Sequence, residues 1–179
     1  MNTGYKPTLM SIADMKKPVI SAVNGAAAGV GSAFVMTCDL TIMADNAYVL
    51  QAFSNIGLIP DGGATWLLSN TIGYKRAYQL AVEAERIPAE ICLEMGLANK
   101  VVPADALMDE AWAWAEKIAS RPPLSLKYTK KAMRQASQIS LADAISLEAS
   151  FQQVCSNSQD AREGVQAFFE KRPANFTGR

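Results

Sequence analysis

Up to about residue 104 the apolar positions fall in short dense runs; beyond it they keep helical spacing. Leu9, Ile12 and Ala13 lie at helical intervals in MNTGYKPTLMSIADMKKP, and Pro18 stops that pattern. Residues 19–23 (VISAV) form an apolar run of strand length, with Asn24-Gly25 as the turn. GAAAGVGSAFVMTC is a small-residue loop running into a buried helix, and Leu40–Ala44 is the next strand. Strand, helix and strand joined this closely predict a βαβ unit and therefore a parallel sheet. Asp45-Asn46 then turns the chain into a short strand over 48–51.

Helices are expected over 63–70 and 74–84, separated by Gly73. Pro88 suits a first helical position and Gly96 the end of that helix. Residues 99–102 read as a last short strand, closed by Pro103. Four more helices follow over 105–120, 124–137, 140–156 and 159–171, with Ser140-Leu141-Ala142-Asp143 in capping-box form. The pattern divides the chain into an α/β part, 1–104, and a helical part, 105–179. A parallel sheet with only two or three strands ahead of the helices is small, which suggests a fragment of a larger α/β core.

Composition narrows the chemistry. The 179 residues suit one sizeable domain, or one domain with an appendage, and 50% hydrophobic content supplies a core. Lys+Arg and Asp+Glu number 17 each, so no net field recruits nucleic acid or an anionic membrane. No apolar run is long enough for a bilayer and the N-terminus does not read as a secretory signal, making the cytoplasm, or an equivalent lumen, the expected location. Cys38, Cys92 and Cys155 are widely spaced and fit free thiols. Histidine is absent, which removes Ser-His-Asp and Cys-His schemes and most zinc sites. Acid–base work falls to Asp, Glu, Lys, Tyr or Cys.

Two stretches carry candidate chemistry. Residues 24–32 place Gly25, Gly29 and Gly31 between a strand and a helix. Such a loop leaves N–H groups free at a positive helix end, suited to an anion or oxyanion, or it serves only close strand–helix packing. Its spacing is neither GxGxxG nor a Walker loop. In IGLIPDGGATW, Asp61 stands after an apolar run and before two glycines. Locally it reads as a turn or N-cap residue bonding the N–H of Gly63 or Ala64, or as an acid set in an apolar pocket. Other candidates read as structure: Lys127, Lys130 and Lys131 as a solvated face, Trp112 and Trp114 as packing residues, Cys38 as inert core, and Glu83 and Glu85 as surface charges.

KPVISAVNGAAAGVGSAFVMTCDLTIMA, AFSNIGLIPDGGATWLL, RIPAEICLEMGLANKVVP and REGVQAFFEKRPANFTGR together resemble the crotonase superfamily, the enoyl-CoA hydratase/isomerase family. The resemblance implies a crotonase-like α/β core built on ββα repeats, with the helical part serving oligomerisation as a trimer or a hexamer of two trimers. It also implies further strands upstream, which supply a second oxyanion donor and part of the coenzyme A site.

In such enzymes two backbone N–H groups hold the thioester oxygen as an enolate forms; losing one costs about 3–4 kcal/mol of transition-state stabilisation. Carried onto this chain, the loop donor is the N–H of Val30, within Gly29-Val30-Gly31. The two glutamates of hydratases fall at Ala33 and Phe53, so hydration by that pair is excluded. Asp61 matches the carboxylate of isomerase-type members, closest to the ring-1,2-epoxyphenylacetyl-CoA isomerase branch. Ala33, Phe53, Ile56 and Leu58, with Ile59, would wall an acyl pocket and favour Asp61 as a base. Ala28, Phe168, Lys171 and Phe176 match coenzyme A contacts. The implied activity is isomerisation of an acyl-CoA in fatty-acid or aromatic-compound metabolism, with no metal or redox cofactor and coenzyme A as part of the substrate. Hydration, Asp-dependent aryl-CoA dehalogenation and a non-catalytic truncated form are the alternatives.

Overall fold

The apolar runs become two three-stranded sheets. The computed structural model describes residues 3–179, which form two compact units. One comprises Val19–Ala113 with the residues before Lys16; the other comprises Lys16–Pro18 with Trp114–Arg179.

In the first unit, α1 (Tyr5–Ala13) precedes β1 (Ile20–Val23), β2 (Ala26–Ala28), α2 (Val30–Thr37), β3 (Leu40–Ala44) and β4 (Tyr48–Leu50). Then come α3 (Ala64–Ile72), α4 (Tyr74–Glu83), β5 (Arg86–Pro88), α5 (Ala89–Met95), β6 (Lys100–Val102) and the start of α6 (Leu107–Ala119). The first sheet has the order β1-β3-β6 and is parallel, with Ile20 opposite Leu40 and Ile42 opposite Lys100. Its central strand shows why LTIMA is nearly all apolar: Ile42, Met43 and Ala44 are fully buried.

The second sheet, β2-β4-β5, pairs β2 and β4 in parallel and β4 and β5 antiparallel. The sequence pattern predicts neither β2 nor β5. Three alanines carry no strand signature, and β2 forms because Ala26–Ala28 lie alongside Tyr48–Leu50. Pro88 corrects the expectation of a first helical residue. It pairs with Tyr48 at the end of β5, keeps ψ extended at 157°, and caps α5 from outside. An edge strand tolerates a residue that lacks an N–H. Gly96 ends α5 in the left-handed conformation, as the sequence predicts.

The second unit holds the rest of α6, then α7 (Pro123–Ala136), α8 (Leu141–Ser156) and α9 (Gln159–Glu170). Ser140 caps α8: the Asp143 N–H donates to Ser140 Oγ at 3.2 Å, and that hydroxyl, rather than the Ser140 N–H of a full capping box, donates to the Asp143 carboxylate at 2.7 Å. Helices α7 and α8 meet through the Tyr128 and Phe151 rings, 4.9 Å between centroids, with Lys131 Nζ lying 5.2 Å from the Phe151 ring. The chain end returns onto α9. Both Asp160 carboxylate oxygens accept tail N–H groups, from Thr177 at 2.7 Å and Gly178 at 2.8 Å.

Candidate active site

The glycine loop and the Asp61 turn, about thirty residues apart in sequence, are pressed together. Strand β2 ends at Ala28, and the Gly29 N–H continues its pairing by donating to the Leu50 carbonyl at 2.9 Å. Gly29 then takes φ 54° and ψ −129°, a conformation that side chains disfavour, and α2 starts at Val30. Val30 and Gly31 head the helix, so no carbonyl one turn earlier is available to their N–H groups. The positive end of the helix dipole lies there as well. The Ser32 N–H is already used, donating to the Gly29 carbonyl at 3.0 Å.

The Asp61-Gly62 turn lies on this loop. A Cβ added to Gly62 would stand 3.0 Å from Ala33 Cβ and 3.1 Å from Val30 Cγ2, and Gly62 has φ +62°. Space and backbone conformation both demand glycine at this position. The Phe53 ring closes the other side of the loop, its Cζ 3.8 Å from where a Gly29 Cβ would be. Gly29, Val30, Ala33, Phe53 and the Asp61 turn are therefore neighbours. Ala33 and Phe53 are buried, at 0% and 8% exposure.

Asp61 itself decides between the two local readings. The cap of α3 is Gly63, with no side chain bonded to it, and the Ala64 N–H goes to the Asp61 backbone carbonyl at 3.0 Å. The Asp61 carboxylate caps nothing; its Oδ1 is buried without a hydrogen-bond partner. Buried carboxylate oxygens ordinarily have partners, and this one has none among the described residues. The side-chain N-cap reading of Asp61 is corrected on this point.

Other candidates scatter. Ile56, Leu58 and Ile59 stand 71%, 58% and 80% exposed, so this chain alone leaves them uncovered. Ala28 is exposed in β2. Phe168, Lys171 and Phe176 belong to the second unit: Phe168 is exposed, Lys171 ends α9 in the left-handed conformation, and Phe176 packs on Gly164. Trp112 departs from its reading as a packing residue, being 64% exposed. Among the described residues no three His, Cys, Asp or Glu are grouped to hold a metal ion.

The sequence profile described as Enoyl-CoA hydratase/isomerase matches residues 1–179. The chain belongs to the enoyl-CoA hydratase/isomerase family. Over 176 residues, 98% of the chain and 68% of the relative, it is 43% identical to a Rhodobacter capsulatus protein named "Probable enoyl-CoA hydratase". It is 40% identical over 175 residues to the 1,2-epoxyphenylacetyl-CoA isomerase of Escherichia coli K12, covering 98% of the chain and 67% of the relative. A solved enoyl-CoA hydratase from Polaromonas sp. JS666 superposes with a TM-score of 0.95 at 33% identity, covering 98% of the chain and 68% of that structure. The family's crotonase-like α/β fold is thus the fold of this chain, which spans about two thirds of those three proteins.

Sequence reasoning missed two residues behind the glycine loop, Ser32 and Gln51, both fully buried and polar. Their only signal is polarity inside apolar runs, at the head of α2 and just after β4.

Proposed function

We propose that this family member isomerises an acyl-CoA thioester, with the Val30 N–H as one oxyanion donor and Asp61 as the acid–base group. The observation that carries the reading is the buried, unpartnered Oδ1 of Asp61 on a turn packed against Val30 and Ala33. An isomerase needs one carboxylate, which removes a proton at one carbon and returns it at another. Between those steps the enolate oxygen is held by two N–H donors, one of them that of Val30 at the head of α2. No metal or redox cofactor takes part; coenzyme A arrives with the substrate.

The isomerase name of the Escherichia coli relative supports this reading. The hydratase names favour water addition instead. Against hydration stand Ala33 and Phe53, buried where the resemblance puts the two glutamates and unable to carry protons. Phe168, Lys171 and Phe176 would contact coenzyme A, and Ala28 would line its entry. Exposed apolar residues on α9 (Val165, Phe168, Phe169) are in keeping with assembly as a trimer or hexamer, which sedimentation would measure.

Asp61→Asn in the intact protein tests the assignment, with unsaturated acyl-CoA isomers as substrates and both isomer and 3-hydroxyacyl products quantified. Isomerisation should fall by roughly 100- to 10,000-fold. Turnover near the parent's overturns the role of Asp61, and a hydroxyacyl product as the main one overturns isomerisation.

A further inference from the structure

Behind the loop, a one-way chain of hydrogen bonds ends on the peptide that carries the Val30 N–H. Gln51 Nε2 donates to Ser32 Oγ at 2.8 Å, and Ser32 Oγ donates to the Gly29 carbonyl at 2.6 Å. An amide nitrogen gives protons and accepts none, so the Ser32 hydroxyl must accept on that side. Its single proton is left for the Gly29 oxygen. That oxygen also receives the Ser32 N–H at 3.0 Å, so two donors meet on it.

The Gly29 C=O and the Val30 N–H are the two ends of one planar unit. Donors at the oxygen fix the plane and so aim the N–H. They also draw electron density from the nitrogen, making its hydrogen a stronger donor. The far end of the chain is anchored too, because the Gly29 N–H is bonded to the Leu50 carbonyl, next to Gln51.

Gln51 gives a second, independent observation. It is fully buried, yet its Oε1 has no partner. A buried acceptor without a partner is unfavourable, and an apolar side chain of the same length would avoid it. A residue present for packing alone has no reason to carry that cost. The amide's donor end makes the bond to Ser32.

We propose that Gln51 and Ser32 are positioning residues that orient and polarise the Gly29–Val30 peptide, so that the Val30 N–H binds a developing oxyanion more strongly. This rests on the Val30 N–H being the donor in the preceding reading.

Ser32→Ala, Gln51→Met and the double variant would be made in the intact protein. Difference infrared spectroscopy would follow the carbon-13-labelled thioester carbonyl of a bound unsaturated acyl-CoA, alongside kcat and KM. In the parent the carbonyl stretch should move to lower frequency on binding. Each single variant should recover part of that shift and lose roughly tenfold in kcat, less than the about 100- to 1,000-fold of losing a whole donor. KM should stay within about twofold, and the double variant should be no worse than Ser32→Ala, because the two residues form one chain. Ser32→Ala removes a single oxygen, so it decides the matter by itself if Gln51→Met fails to fold.

A carbonyl shifted equally in parent and variants overturns the relay while leaving Val30 as the donor, even if kcat or KM has changed through looser packing. A parent whose bound carbonyl is not shifted overturns the Val30 reading and the relay with it.

Discussion

Gly62 shows how much one residue can govern. Its positive φ and its contact with Val30 and Ala33 leave no room for a side chain. Gly62→Ala should lower stability by about 1–3 kcal/mol, read by chemical denaturation, because the turn must shift away from α2. Cys92 is a second case. Burial pushes its thiol up to about 11, with a backbone hydrogen bond at Val49 opposing that rise. The folded value exceeds the ordinary 9.0, so stability from the neutral thiol is intact below pH 9 and lost as pH rises through about 11. A stability profile should fall across that window, and Cys92→Ala should remove the fall. Below pH 9 the thiol should resist alkylation unless the protein is unfolded.

Among the elements, α9 and the returning tail form a clamp. Arg172 lies bidentate on Glu163 at 2.6 and 2.9 Å and donates through Nε to Glu170 at 2.6 Å. The hydrogen bonds from Arg172, aided by the Asn175 N–H, hold the Glu163 carboxyl down at about 2 against an ordinary 4.5. Folded Glu163 therefore favours the clamp above pH 4.5, and that contribution is lost as pH falls through about 2. Amide exchange at Asn175 should accelerate across that range in the parent, and Glu163→Gln should flatten the dependence. Asp160 closes the same clamp from the start of α9. Asp160→Ala leaves the Thr177 and Gly178 N–H groups without their acceptors, so residues 176–179 should become sensitive to carboxypeptidase.

Over the whole molecule, burial is uneven. The fully buried large side chains (Ile42, Met43, Leu68, Val49 and Cys92 among them) all belong to the first unit. In the second unit the buried hydrophobic core reduces to Ala167, while Met133, Leu141, Val165, Phe168 and Phe169 are exposed. Local opening free energies follow buried apolar contact. Native-state hydrogen exchange should show β3 amides opening only with global unfolding, and α8 and α9 amides opening well before it. If the exposed faces associate between copies, protection in α9 should rise with protein concentration.

Part of this was legible in the residues alone. LTIMA reads as a buried strand because its apolar run leaves no solvent face, and IPDGG marks a turn because glycine and proline restrict or free the backbone locally. Those properties belong to single residues and their near neighbours, so sequence carries them. The Gly29-Val30-Gly31 loop and the carboxylate of Asp61 were visible for the same reason. Tertiary structure alone decided where the Asp61 oxygens lie, since a capping Asp and an orphaned one share the same local sequence. It decided β2 and β5 too, whose strands exist only because β4 lies between them. The Gln51–Ser32 bond in the relay joins residues 19 apart and depends on that same pairing. A hydrogen bond between distant residues depends on distance and direction, and those are set only once the sheet has closed.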